Sequence, residues 1–163
     1  MNSTVYVHMN RIDRQILALL QTDASLSHAE LGARVNLSPS QCSRRIARLQ
    51  ELGIIRGMVA LLDETELGLQ LEAYVTVRLT SYARKVVTAF HARIAELPEV
   101  IECCSLTGDN DYLLRVLTRD RAAFSQFLNE DLLGHGDVAR VRSSIVLDRI
   151  KRTTALPLPQ GQS

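Results

Sequence analysis

Two helix-start signals stand close together: Ser27-His-Ala-Glu30 and Ser38-Pro-Ser-Gln41. In each, the serine side chain suits the amide three residues on, and the Glu or Gln reaches back to the serine's own amide. Pro39 takes the first helical position, where no amide donor is needed. Asn36, a residue that tolerates left-handed dihedrals, ends the segment that begins at Ser27. A short helix must therefore stop near Asn36 and another start at Ser38. A tight turn between two short helices is the helix-turn-helix pattern. A third helix precedes it. Asn10 is a candidate cap, Asp13 suits the positive end of the helix dipole, and Ile12, Ile16, Leu17, Leu19 and Leu20 supply an apolar face.

On a wheel of about 100° per residue, Cys42, Ile46 and Leu49 fall within about 60° of one another. Gln41, Arg44, Arg45 and Arg48 fall within about 100° on another side, and no carboxylate interrupts them. A solvated surface helix normally mixes signs. The arrangement instead suits a recognition helix in the major groove of double-stranded DNA. Arg can grip guanine O6 and N7, Gln can do the same with adenine, and further arginines can hold phosphates. The hydroxyls of Ser38 and Ser40 and the first amides of the helix are candidate phosphate ligands. Arg56, on an extended connector after Gly53, is placed to meet flanking DNA.

Charge follows the same division. Residues 1–60 carry seven Arg against four acidic residues, +3, while the remainder carries twelve basic against fourteen acidic, −2. Two domains with different partners are expected. Boundaries at 1–53, 54–70, 71–152 and 153–163 separate the helix-turn-helix domain, a linker, a second domain and a tail.

The second domain begins with a clear alternation, Leu71, Ala73, Val75, Val77 and Leu79 on one face of a strand. A helix over 84–97 stops at Pro98. Strands follow over 100–107 and 111–118, joined by Thr107-Gly-Asp-Asn-Asp111. Asp120 caps a second helix, and a fourth strand runs from Val138 to Ile150. The order β-α-β-β-α-β is the ferredoxin-like arrangement, so the fold class is α+β. Both helices then share one face of the sheet. The other face is expected to hold apolar residues in need of a partner, which predicts a homodimer and a pseudo-palindromic DNA site.

No apolar run is long enough to span a bilayer, and the opening MNSTVYVHMNR lacks a signal pattern; a cytoplasmic, nucleoid-associated protein is expected. Cys42, Cys103 and Cys104 read as reduced, space-filling thiols, with no metal-ligand spacing. Neither a Ser/His/Asp set nor a phosphate loop is present, which argues against an enzyme.

The stretches Asp13-Arg-Gln-Ile-Leu17, Leu37-Ser-Pro-Ser-Gln-Cys-Ser-Arg-Arg-Ile46, Leu49-Gln-Glu-Leu-Gly-Ile-Ile55, Leu106-Thr-Gly-Asp-Asn-Asp-Tyr112 and Ile150-Lys-Arg-Thr-Thr-Ala-Leu-Pro157 occur in an order and spacing that resemble the leucine-responsive regulatory protein/AsnC family of prokaryotic transcription regulators. The resemblance covers about Asn10 to Pro157. It implies a winged-type helix-turn-helix, a ferredoxin-like effector (RAM) domain, and dimers that often assemble to octamers. It also implies an amino-acid effector bound between dimers, and no other cofactor. The family's glycine–aspartate turn falls on Gly108, Asp109, Asp111 and Tyr112, and a polar residue of the last strand on Ser143. Asp109 and Asp111 suit an α-ammonium group, and turn amides a carboxylate; an ordinary acidic hairpin turn is the plain alternative. The alternative function is a nucleoid architectural protein that binds and bends DNA without a ligand.

Overall fold

The computed structural model describes residues 9–159. The first eight residues, part of the stretch read for a leader, and the last four of the tail lie outside them. The described chain forms two compact units. One comprises the residues up to Ala60 together with those from Lys151 onward, and the other is Leu61–Ile150.

The helical unit contains α1 (Arg11–Thr22), α2 (His28–Val35) and α3 (Pro39–Glu51). All the anticipated caps form. The Asp13 amide donates to Asn10 Oδ1 at 2.8 Å. Both capping boxes close reciprocally, on Ser27 with Glu30 and on Ser38 with Gln41. Asn36 takes φ 56° and ψ 48°, the left-handed cap that the sequence requires. Ile16, Leu31, Val35, Cys42 and Ile46 join all three helices in one core. Gly32 allows the turn to close: a Cβ there would lie 2.4 Å from the Leu37 carbonyl oxygen. Among the described residues this unit contains no strand, so where the resemblance implies a wing, an irregular segment follows α3. The tail packs on α1 within the same unit. The Leu156 amide donates to Gln21 Oε1 at 2.6 Å, and Gln21 Nε2 donates to the Leu156 carbonyl at 3.2 Å.

The second unit is β1 (Leu71–Leu79), α4 (Arg84–Glu96), β2 (Val100–Ser105), β3 (Tyr112–Thr118), α5 (Arg121–Gln126) and β4 (Val138–Ile145). The sheet order is β2-β3-β1-β4, with every pair antiparallel. Ala73, Val75, Val77 and Leu79 are buried against Phe90 and Ile94 of α4 and against Phe124, Phe127 and Leu132. After α5 the helix widens into a π segment, Phe127–Leu132. Its i→i+5 repeat brings Phe127 and Leu132, both buried, onto one side.

Three expectations change. The fourth strand ends at Ile145, not Ile150, because Ile145 already pairs with Ala73, and β1 begins only two residues earlier at Leu71. Cys42 fills core space, but Cys103 and Cys104 are exposed on β2, an edge strand. The uncovered sheet face is mixed rather than apolar: Leu113 and Leu117 of β3, directly opposite Thr76 and Glu72, lie on it among polar residues. It carries Glu72, Tyr74, Thr76 and Arg78 of β1, with Arg142 and Arg140 of β4 directly opposite Thr76 and Arg78. The strict alternation of β1 sends its aliphatic residues to the helix side and its polar ones outward.

Candidate DNA-reading helix and effector turn

Helix α3 sorts its side chains as its wheel predicts, with one exception. Cys42, Ile46 and Leu49 are buried, while Gln41, Arg44 and Arg48 are exposed. Arg45 turns back into the unit. Its Nη1 donates to Asp13 Oδ1 of α1 at 2.7 Å, and only 9% of the Asp13 side chain is exposed. Arg45, read with the others as a DNA contact, is engaged in an ion pair within the domain. The wheel holds the reason. Arg45 lies about 60° from Cys42, at the margin of the apolar stripe, whereas Arg44 lies about 160° from it. Asp13, the partner, is a residue that sequence reasoning assigned only to the helix dipole.

Gln41 is also constrained. Its Oε1 accepts from the Ser38 amide at 2.9 Å to complete the capping box. A bidentate grip on adenine would draw on that same oxygen, so the cap and the base would share its two acceptor positions. Ser38 Oγ takes part in the same cap and lies 3.1 Å from Ser40 Oγ. Ser38, Ser40, Gln41 and Arg44 together border an open hollow of ≈ 530 Å³ at the N-terminus of α3. The helix dipole and an exposed guanidinium there favour an anion.

In the second unit, the turn between β2 and β3 closes with the Leu106 amide donating to the Asp111 carbonyl at 2.8 Å. Gly108 has φ +115°, a backbone state that side chains strain to adopt. Asp109 is exposed. Asp111 has both carboxylate oxygens engaged within the chain. Its Oδ2 accepts from the Leu79 amide at 2.7 Å and its Oδ1 from the Tyr82 hydroxyl at 2.8 Å. The Asp111 carboxylate, holding that phenolic proton, pushes the Tyr82 pKa upward. Tyr112 is likewise a core residue. It packs on Phe90 with ring centroids 4.7 Å apart, and its hydroxyl lies 2.8 Å from His91 Nε2. Burial, then the nearby Cys103 and Asp111, raises its pKa. Ser143 is exposed on β4, opposite Val75. β1 and β3 stand between β4 and β2, so one chain does not bring Ser143 to the turn.

Residues 9–50 match the AsnC-type helix-turn-helix domain, and residues 72–156 match the Lrp/AsnC ligand binding domain. The chain belongs to the Lrp/AsnC family. It is 33% identical to the transcriptional regulator AzlB of Bacillus subtilis (strain 168), over 94% of this chain and 98% of that protein. It is 37% identical to the leucine-responsive regulatory protein of Escherichia coli (strain K12), over 91% and 90%. A Neisseria meningitidis transcriptional regulator, solved as an L-Met complex, superposes with a TM-score of 0.88 at 41% identity, over 91% of this chain and 96% of that one. This member of the Lrp/AsnC family is accordingly a transcription regulator with a DNA-binding and a ligand-binding domain, and not an enzyme.

Proposed function

We propose that this Lrp/AsnC regulator reads DNA with Arg44 and Arg48 of α3, holds a phosphate at Ser38, Ser40 and the first amides of that helix, and responds to an amino acid. The observation that carries the reading is the exposed arc of Arg44 and Arg48, set opposite the buried stripe of Cys42, Ile46 and Leu49. Gln41 contributes through its Nε2 and through the acceptor capacity of its oxygen left beside the cap.

The effector reading centres on the Gly108–Asp109 turn, with Asp109 as partner for an α-ammonium group and the turn amides for a carboxylate. Ser143 joins such a site from another copy, which accords with an effector held between dimers. The relative solved with L-Met supports an amino acid as the ligand class. Assembly as a homodimer building to an octamer accords with the exposed apolar run Met58, Val59, Leu61 and Leu62. A cytoplasmic, nucleoid-bound location follows from the same reading.

The test is to select duplexes from a random library with the full-length protein, then titrate the selected duplex with and without each amino acid while light scattering follows assembly. The reading requires a preferred duplex and at least one amino acid that shifts affinity or size. A preferred duplex with no amino-acid response leaves the ligand-independent architectural role.

A further inference from the structure

We propose that Arg45 is a positioning residue: through Asp13 it fixes the rotation of α3 against α1, and so sets where Arg44 and Arg48 meet DNA. The inference rests on α3 being the DNA-contacting helix.

Three observations carry it. First, the contacts that seat α3 are otherwise an apolar stripe of Cys42, Ile46 and Leu49. Apolar packing is non-directional, so such a stripe resists separation better than it resists rolling. Second, the Arg45–Asp13 contact is directional and joins elements far apart in sequence, at 2.7 Å across a separation of 32 residues. Its anchor is rigid. Asp13 is buried, sits in the first turn of α1, and has its own amide held by Asn10 Oδ1. Third, Arg45 lies beside Arg44 and within one turn of Arg48, so whatever holds its backbone holds theirs.

Side-chain tips stand roughly 5–6 Å from a helix axis, so rolling α3 by about 20° moves them by about 2 Å. Hydrogen bonds to base edges hold only near 2.7–3.2 Å, so a displacement of that size breaks them. Contacts to phosphates, which read charge more than position, survive it better. Loss of the pair should therefore cost discrimination between DNA sequences more than general attraction to DNA.

The experiment compares full-length wild type, Asp13→Asn, Arg45→Gln, the double variant, Arg44→Gln and Arg48→Gln. Each is measured on the duplex enriched by the wild type and on poly(dI-dC), over a range of salt, at a temperature where circular dichroism shows the variant folded. Asp13→Asn and Arg45→Gln are each expected to weaken the selected duplex about tenfold, the size of one lost base contact, and to leave poly(dI-dC) nearly unchanged. The double variant should be no worse than either single. The slope of log affinity against log salt should stay at the wild-type value for these variants, because no phosphate contact is removed. Arg45 is a phosphate contact instead if Arg45→Gln flattens that slope by about 1 while Asp13→Asn binds normally. The pair is a plain structural staple if both folded variants bind the selected duplex as tightly as wild type. Should Arg45→Gln fail to fold, Asp13→Asn still decides: Asp13 is buried on α1, so wild-type preference in that isosteric variant overturns the proposal. The reading of α3 itself fails separately, if Arg44→Gln and Arg48→Gln change neither affinity nor slope.

Discussion

The polar arc of α3 and the turn between β2 and β3 looked alike as strings of charged and small residues, but the fold uses them differently. On α3, Arg44 and Arg48 remain exposed, because the backbone bonds of a helix are satisfied within it and its caps need only Ser38 and Gln41. At the turn, Asp111 is spent on the Leu79 amide and the Tyr82 hydroxyl, and Tyr112 is spent on the core. A strand end leaves backbone donors unpaired, and the nearest polar side chain takes them. In this chain the polar residues of the turn therefore carry more structural duty than Arg44 and Arg48 on the outer arc of α3.

The largest expected effect tests how tightly the turn before α3 is built. In Gly32→Ala the new methyl would meet the Leu37 carbonyl at 2.4 Å, and backbone has to move. A loss of about 2–3 kcal/mol of stability is expected in urea unfolding, within the range for overpacking. If stability is unchanged, the close approach between α2 and α3 is looser than described.

Next come the exposed arginines. Arg44→Ala or Arg48→Ala should weaken binding to a selected duplex by about 1–3 kcal/mol where a base contact is lost. Unfolding midpoints should stay within the wild-type range, since neither side chain is buried. An equal loss of stability and of affinity would mean that these residues too serve the fold.

The turn gives the sharpest contrast between two acids, Asp109 and Asp111. Asp111→Ala strips an acceptor from the Leu79 amide and the Tyr82 hydroxyl, and should cost about 1–2 kcal/mol in thermal unfolding. Asp109→Ala should leave the melting temperature alone and instead blunt any shift caused by an amino acid. If the two variants melt alike, the proposed division of labour at this turn is wrong.

Much of this was legible in the sequence. The caps at Asn10, Ser27, Ser38 and Asp120, the left-handed Asn36 and the alternation of β1 are local signals with local causes, and each forms as read. What escaped was long-range. Arg45 finds Asp13 32 residues away, and Asp111 serves an amide 32 residues upstream. The end of β4 was lost for a similar reason, since it depends on where its partner β1 begins. The polar share of the open sheet face was present in the outward positions Glu72, Thr76 and Arg78, and needed only the other half of the alternation to be followed.

The smallest effect compares the two units through their arginine-held carboxylates, and it is read by pH. Asp13 has one guanidinium partner; Glu72 has two, Arg115 at 2.7 Å and Arg149. Burial alone would raise the Glu72 pKa, but the hydrogen bonds and charges of Arg149 and Arg115 outweigh it and hold the carboxyl below its ordinary value. A depressed folded-state pKa means that the folded protein binds the proton less readily than the unfolded chain does. The stabilisation is thus fully present above the unfolded-state pKa of about 4.3 and is lost as pH falls through the lower folded-state value. Glu72→Gln should lower stability at neutral pH and flatten its decline below about pH 4.5. Urea unfolding of wild type and variant between neutral pH and about pH 3 checks this. Parallel curves across that range would show that Glu72 titrates as it does in the unfolded chain, and that Arg115 and Arg149 do not hold it.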